Sequence, residues 1–413
     1  MTDKRPKVVV VGAGFAGLQA VKELAGARMD VVLLERQNYH LFQPLLYQVA
    51  TAGLAPEDIV YPLRAILRDM KNVDFRMTEV QAVDKEKKMV VTDCGEIAYD
   101  YLLLAVGATT NFFGLKSVES HAFGLKNVED AMDIRNHIFR LFELASQQPD
   151  PDLRRQMLTF VIAGGGATGV ECAGGLAELI HQVLTKDYPG IDFGEVRLVL
   201  VEGGSRLLPS FPEPLSRFTA EKLQQKGVEV LFGSMVAEFD GAAITMTDGR
   251  QLQTRTLVWA AGVAAEPLAG RLGVETDRLG RVVINQTLQV SDYPEIFIAG
   301  DAACLRIDGH PLPMIAPVAV QQAAAAAQNI IRLASGRAPE EFRYKDPGSL
   351  ATIGRSSGVA SLGRWQFRGY FAWVLWLVVH LIRLVGFRNR LLVIINWAWD
   401  YFFYERVVRL ILR

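Results

Sequence analysis

The sequence predicts an α/β protein with two Rossmann-like dinucleotide-binding domains, the first interrupted by the second, and a C-terminal amphipathic helical membrane-anchoring segment. Three observations predict it. A glycine-rich turn, Gly12-Ala13-Gly14-Phe15-Ala16-Gly17, joins a buried strand to a helix at the start of the chain. The same arrangement recurs at Gly164-Gly165-Gly166-Ala167-Thr168-Gly169. From Arg364 onward the composition turns apolar, aromatic and arginine-rich.

The first turn has the context a dinucleotide site needs. Lys7 to Val11 reads as a short buried strand, Leu18 to Ala25 as a helix, and Val31 to Leu34 as a second strand ending in Glu35. In such a motif the first glycine makes the turn, the second lets a pyrophosphate approach the backbone, and the third lets helix and strand pack closely. The helix start offers N–H groups and a positive dipole end to phosphate. Glu35 lies eighteen residues past Gly17, near the offset of an acid that binds the adenosine ribose.

Next comes Asn38 to Gln48, apolar and aromatic, with Pro44 within it and Pro56 nearby. It reads as a segment laid over something flat, or equally as ordinary core. Strands are expected near Asp74–Asp84, Met89–Thr92 and Tyr101–Val106, the last ending in a glycine turn at Gly107. Glu129 to Gln147 reads as a helix broken by Gln148-Pro149-Asp150-Pro151. The second copy follows: strand Thr159 to Ala163, the glycine turn, helix Val170 to Leu184, and strand Val196 to Val201 ending in Glu202. Its glycine-to-acid interval is longer, so an insertion is expected near Lys186–Gly194. A hairpin around Asp248-Gly249 and a strand Leu257 to Gly262 complete that unit. Two nucleotide sites in one chain suggest electron transfer between them.

The chain then returns to the first domain. Ile296 to Asp301 is an apolar strand whose carboxylate could hold the ribityl hydroxyls of a flavin or cap the next helix. A proline-rich loop (Pro311, Pro313, Pro317) leads to an alanine-rich helix expected to start near Val318. Gly354-Arg355-Ser356-Ser357-Gly358 has the spacing of a hydrolase elbow, but its surroundings alternate like a strand, and a β-hairpin is the better reading.

In the tail, Tyr370 to Ile382 is interrupted by Arg383 and falls short of the roughly 18–20 residues a membrane span needs. Gly386 to Arg390 makes a basic turn, and Leu391 to Arg413 reads as a second apolar helix with Arg406, Arg409 and Arg413 on one side. Residues 364–413 hold eight arginines, no lysine and two acids, a charge of +6, which leaves −7 for the rest of a chain whose total is −1. The expected arrangement is a helix pair lying in the headgroup plane of a membrane. A hairpin that closes a dimer or covers the sheet is the alternative.

The 413 residues suffice for two domains plus extensions, and the near-zero net charge gives no pull toward nucleic acid. The three cysteines (Cys94, Cys172, Cys304) form no CxxC and the six histidines show no metal-ligand spacing, so no disulfide framework and no metal site is expected. Met1 to Arg5 runs straight into the first strand without the pattern of a signal or transit peptide, which gives the cytoplasm, or a surface facing it, as the default location.

The chain resembles the two-dinucleotide-binding-domain flavoproteins, and among them the type II NADH dehydrogenases, the non-proton-pumping NADH:quinone oxidoreductases. The resemblance rests on Asn38–Ile59, Ile162–Gly175, Thr256–Gly262, Phe297–Ala302 and Gly386–Trp399. It implies FAD in the first fold and NADH as substrate in the second. The FAD residues would be Gly12, Gly14, Phe15, Ala16, Gly17, Glu35, Arg36, Gln43, Val80, Ala105, Gly107 and Asp301, with the N–H groups of Ala319 and Val320 near the ring. NADH would be held by Gly164, Gly166, Thr168, Gly169, Glu202, Ala261 and Gly262, and the acid at 202 favours NADH over NADPH. Glu171 matches the family's acid near the nicotinamide; alternatively it is a first-turn acid favoured by the helix dipole. The family's quinone-side motif, Ala-Gln-x-x-x-Gln, reads Ala316-Pro317-Val318-Ala319-Val320-Gln321 here. Gln321 and Gln322 remain for catalysis and quinone contact, and Pro317 replaces the first glutamine.

The resemblance further implies a peripheral, monotopic protein on the cytoplasmic face of a membrane, a homodimer, and a membrane quinone of undetermined type as acceptor. The expected domains are 1–115 and 266–363 for FAD, 116–265 for NADH, and 364–413 for the membrane. A sulfide:quinone reductase would need a cysteine pair, a catalytically silent NADH-sensing flavoprotein is the other rival, and a soluble disulfide reductase is excluded by the lack of CxxC or CxxxxC.

Overall fold

The computed structural model describes residues 5–403, 406 and 408–411. In chain order the principal elements are β1 (Lys7–Val11), α1 (Phe15–Leu24), β2 (Asp30–Glu35), β3 (Val73–Met77), β4 (Tyr101–Leu104), α2 (Val128–Gln147), β5 (Thr159–Ala163), α3 (Ala167–Glu178), β6 (Arg197–Glu202), β7 (Val228–Phe232), β8 (Thr256–Trp259), β9 (Gln289–Val290), β10 (Tyr293–Ile298), α4 (Ala316–Ala334), β11 (Ser349–Gly354), β12 (Ser357–Leu362), β13 (Trp365–Gly369), α5 (Tyr370–Arg383) and α6 (Phe387–Phe403).

The chain divides into two compact units. The first comprises residues 1–40, 61–109 and 263–346, and the second 41–60, 110–262 and 347–413. The first unit contains a six-stranded sheet in the order β9-β10-β4-β1-β2-β3, parallel except for β9. Val9 pairs with Val32 on one side and Leu102 on the other, so the valine-rich β1 is buried on both faces, as a central parallel strand must be. The alanine run of α4 lets it lie along α1, with Ala323, Ala326 and Ala327 fully buried in the same core.

The second unit repeats the plan with a parallel sheet β7-β6-β5-β8. The long glycine-to-acid interval is filled by helix running on from α3 to Asp187 and by a loop before β6. Helix α2 begins with a capping box in which the Asn127 side chain accepts from the Asp130 N–H at 2.7 Å. The Gly354–Gly358 stretch is the hairpin between β11 and β12, with Ser356 at φ +58°.

This division differs from the expected domains. Residues 41–60 and 347–363 belong with the second unit, because their partners are there. Asn389 donates to the carbonyls of Glu57, Asp58 and Val60 at 3.2, 3.0 and 2.8 Å, and Asn396 donates to the Asp58 carboxylate. The three-stranded sheet β11-β12-β13 packs between α3 and α5. Glycines make that packing possible: a Cβ at Gly174 would meet the Ile353 carbonyl at 2.3 Å, and one at Gly358 would meet the Trp373 nitrogen at 3.0 Å.

The second tail helix is shorter than expected and ends at Phe403. Arg406 and Arg409 lie beyond it, in non-helical chain, and Arg413 lies outside the described residues, as do Met1 to Lys4 of the N-terminal reading. Arg406 is buried rather than turned to a membrane, donating to the carbonyls of Thr51 and Gly175 and pairing with Glu178 at 3.4 Å. Arg409 is tied to Asp187 at 2.6 Å. No helix among the described residues is long and apolar enough to cross a membrane.

Candidate functional site

Both glycine turns have the geometry of phosphate cradles, and each glycine has a separate reason to be glycine. Gly12 has φ +96°, and a Cβ there would sit 2.4 Å from the Ala105 carbonyl oxygen. At Gly17 a Cβ would lie 1.7 Å from the Gly12 carbonyl, so the contact of α1 with β1 requires glycine. Gly14 differs: a Cβ there meets nothing within 4 Å. That open position is where a pyrophosphate would approach, at the start of α1.

The second copy repeats this pattern. Gly164 has φ +108° with a Cβ position 2.5 Å from the Ala260 carbonyl, Gly169 would strike Gly164 at 1.8 Å, and Gly166 faces open space. Thr168 is exposed in the first turn of α3. Ala261 and Gly262 follow β8, and Gly262 lies under the Phe113 ring, which a Cβ would meet at 2.6 Å.

The acids repeat as well. Glu35 accepts from the Ala13 N–H at 2.7 Å and from its own neighbour Arg36 at 2.7 Å. Glu202 accepts from the Gly165 N–H at 2.6 Å and from Gly204 at 2.6 Å. Each carboxylate thus sits at the carboxyl end of the second strand, bonded to the residue after the first glycine. Two separate stretches of chain build the same kind of nucleotide cradle, and the residues present fit a dinucleotide in each.

Around the first cradle, Ala105 and Gly107 close the end of β4, and Gly107, at φ +75°, accepts from the Glu266 N–H. Gly300 and Asp301 form a turn between α1 and α4, with the Cβ atoms of Ala16 and Ala319 both 3.3 Å from where a Gly300 Cβ would lie. Phe15 packs edge-on against His40, whose Nδ1 bonds the Ala13 carbonyl at 2.8 Å; burial holds this imidazole below its usual pKa. His40 was not singled out in the sequence, although it lies in the Asn38–Ile59 stretch. Val80 opens a strand of a three-stranded meander in this unit, and the exposed Arg36 lies 3.8 Å from Glu266.

Several expectations are revised. Ala319 does not present a free N–H, because α4 starts at Ala316, two residues early, and the Ala319 N–H bonds the Ile315 carbonyl at 3.1 Å. Pro317 explains the early start: its fixed φ suits the first turn and it has no N–H to satisfy. By helix geometry, the first-turn N–H groups without a partner inside α4 are those of Ala316 and Val318. The Gln321 side chain is occupied at both ends by the Lys345 backbone, at 2.8 and 3.0 Å. Gln322 is fully buried; its Oε1 accepts from the Gly300 N–H at 2.9 Å, while its Nε2 has no hydrogen-bond partner among the described residues. Gln43 belongs to the second unit, where its amide donates to the Lys126 carbonyl.

Glu171 has a strongly perturbed environment. It is buried on α3, and its Oε1 accepts from the Thr352 N–H at 3.2 Å and from the Trp376 indole N–H at 3.1 Å. Burial pushes its pKa up to about 8; those two donors hold it down only in part. The Trp376 ring stacks on His380 at 4.0 Å and meets Tyr47 edge-on. Burial also lowers His380 to about 4 and raises Tyr47 well above its ordinary value. At neutral pH all three groups are uncharged. Thr352, Trp376 and Tyr47 were missed in the sequence, since no local pattern links them to Glu171.

Beside them, Glu178 accepts from Lys226 at 2.7 Å and the Arg355 N–H at 2.6 Å, and meets Arg406. A cavity of about 60 Å³ lies here, lined among others by Tyr47, Glu178, Arg355, Trp376, Asp400 and Arg406.

The family model for pyridine nucleotide-disulphide oxidoreductases matches residues 6–323, and the NDH2 C-terminal domain matches 347–405. A type II NADH:quinone oxidoreductase of Mycobacterium tuberculosis, Ndh, is 37% identical over 410 residues, covering 96% of this chain and 88% of that protein. The chain belongs to the type II NADH:quinone oxidoreductases. A Staphylococcus aureus member of this family is 33% identical over 371 residues, covering 87% of this chain and 90% of its own length. Among solved structures, NDH2 from Plasmodium falciparum in complex with NADH has the same fold, with a TM-score of 0.90 at 21% identity, covering 99% of this chain and all of that one. The Aquifex aeolicus sulfide:quinone oxidoreductase also shares the fold, at a TM-score of 0.75 and 17% identity, covering 97% and 96%.

Proposed function

We propose that this chain is a membrane-associated flavoenzyme that passes two electrons from NADH through FAD to a quinone without pumping ions. The observation that carries the reading is the duplicated cradle: an open second glycine, two glycines that cannot bear a Cβ, and an acid at the end of the second strand, present twice. In this reading the first cradle holds FAD and the second NADH. FAD, when bound, supplies the ring that accepts hydride and gives electrons to quinone.

The chain's own groups do the rest. Gly14 and Gly166 leave room for the two pyrophosphates, while Glu35 and Glu202 hold ribose hydroxyls. A carboxylate at 202 repels a 2′-phosphate and so selects NADH. The Ala316 and Val318 N–H groups, with the positive end of α4, favour negative charge at that helix start. Glu171 carries a proton at neutral pH and can release it near pH 8, which suits a group that holds or passes a proton during turnover.

Ile382 and Phe387 are 65% and 81% exposed, and Arg383, Arg388 and Arg390 flank them at the surface. An apolar face bordered by cations supports contact with lipid at a cytoplasmic membrane face. Homodimer assembly is the remaining part, which sedimentation in detergent would test.

The sulfide:quinone alternative needs a reactive cysteine pair, but burial pushes the Cys172 thiol up to about 12 and raises Cys304, which leaves Cys94 as the one exposed thiol. The test is anaerobic: NADH added to the purified yellow protein should bleach the flavin absorbance, and quinone should restore it. Flavin that NADH leaves unbleached would refute the reading.

A further inference from the structure

We propose that Met235 forms the shelf on which the adenine ring of NADH packs, so that this side chain sets how much of the dinucleotide's affinity comes from its adenosine half. The inference rests on NADH occupying the second cradle.

Adenine is joined to the same ribose whose hydroxyls an acid at Glu202 would hold, so its ring must lie within one sugar of that carboxylate. The loop after β7 brings Met235 to the carboxyl end of β6. Met235 is 58% exposed, so its apolar side chain is open to a ligand. Its side chain lies directly over Gly203, the residue after Glu202: a Cβ at Gly203 would be 2.7 Å from Met235 Cγ and 3.1 Å from Sδ.

The position is held on both sides. Thr247 clamps the Met235 backbone, donating its N–H to the Met235 carbonyl at 2.8 Å and accepting the Met235 N–H on Oγ1 at 3.2 Å. The Gly233 N–H bonds the Gly204 carbonyl at 3.1 Å, tying the loop after β7 to the Glu202 turn. Gly233 makes this possible with φ +68°. The Gly204 N–H in turn bonds the Glu202 carboxylate at 2.6 Å. Shelf and ribose acid are therefore one connected piece. A thioether is polarizable and packs favourably on aromatic rings.

The experiment uses the flavin-loaded protein and two readouts. Calorimetry measures binding of ADP-ribose, which carries the adenosine half and the pyrophosphate but no nicotinamide. Steady-state kinetics compare KM for NADH with KM for reduced nicotinamide mononucleotide, which lacks that half. Met235→Ala should weaken ADP-ribose about three- to tenfold and raise the NADH KM in proportion, with the mononucleotide KM unmoved. Met235→Leu, which keeps the apolar surface, should stay within about twofold of the parent protein.

If Glu202→Ala weakens ADP-ribose and Met235→Ala does not, the shelf is overturned while the cradle stands. If neither variant changes ADP-ribose binding, the assignment of NADH to this cradle falls, and the shelf with it. A Met235→Ala effect equal on NADH and the mononucleotide would also overturn the proposal.

Discussion

Trp376 donates its indole N–H to Glu171 Oε1 at 3.1 Å across 205 positions of sequence. A tail helix whose other side is exposed and apolar thus reaches inward to the acid with the strongest carboxylate perturbation in the described structure. Replacing Trp376 by Phe keeps the ring but removes a donor to the charged form. The Glu171 pKa should rise, carrying any ionisation it governs in the NADH oxidation profile upward by about one pH unit. A variant with lower activity but an unshifted profile would reduce Trp376 to packing.

Glu171 also makes a stability prediction. Its proton leaves the unfolded chain near the ordinary value of 4.5 and the folded chain near 8. Between those values the folded state binds more protons, so this group's contribution to stability falls as pH rises through the window and levels off above about 8. Glu171→Gln removes that dependence. The variant should therefore gain on the parent between pH 5 and 8, by on the order of 4 kcal/mol in total. Denaturant melts of both proteins across that range would check it; parallel stability curves would refute it.

The cradle glycines should separate by role. Gly17→Ala and Gly169→Ala place a Cβ under 2 Å from a backbone oxygen and should give little folded protein. Gly14→Ala and Gly166→Ala meet no protein atom and should fold. Gly14→Ala should then lose flavin absorbance, whereas Gly166→Ala should keep its flavin and show an NADH KM raised about tenfold or more. Flavin retained in Gly14→Ala would move the cofactor away from the first turn.

Arg406 should matter for folding rather than for lipid contact. Arg406→Met leaves two carbonyls and part of Glu178 without their buried donor, although Lys226 and the Arg355 N–H remain on that carboxylate. The expected loss is about 2–4 kcal/mol, read from urea unfolding, with faster proteolysis of the tail. Unchanged stability would mean that the arginine is not buried in solution.

The outer face of the tail carries a complementary prediction. Ile382→Glu combined with Phe387→Glu should cut flotation with phospholipid vesicles about tenfold or more, since each side chain would bury about 1.5–3 kcal/mol of apolar surface in a bilayer. Turnover with a short-chain, water-soluble quinone should persist. Flotation equal to that of the parent protein would place the lipid contact elsewhere.

Much of this was legible because it is local. The strand, turn, helix and acid of each cradle lie within one short stretch, and the positions of Gly12, Gly14 and Gly17 follow from sterics that glycine spacing encodes. The hairpin at Gly354–Gly358 was readable from alternation. What could not be read depended on distant partners. Arg406 looked like a surface cation because Glu178, Thr51 and Gly175, which enclose it, are more than 220 positions away. Residues 41–60 looked like part of the first domain because nothing in them announces Asn389. The early start of α4 was in the sequence as Pro317, whose preference for a first helical turn was passed over in favour of the motif it interrupts.

The single amide of Asn389 has a mechanical meaning. It fastens α6 to the carbonyls of Glu57, Asp58 and Val60, and Asn396, seven residues on, adds a fourth tether to the Asp58 carboxylate. Any displacement of α6 is therefore felt at residues 57–60, and the helix and that segment must move as one body.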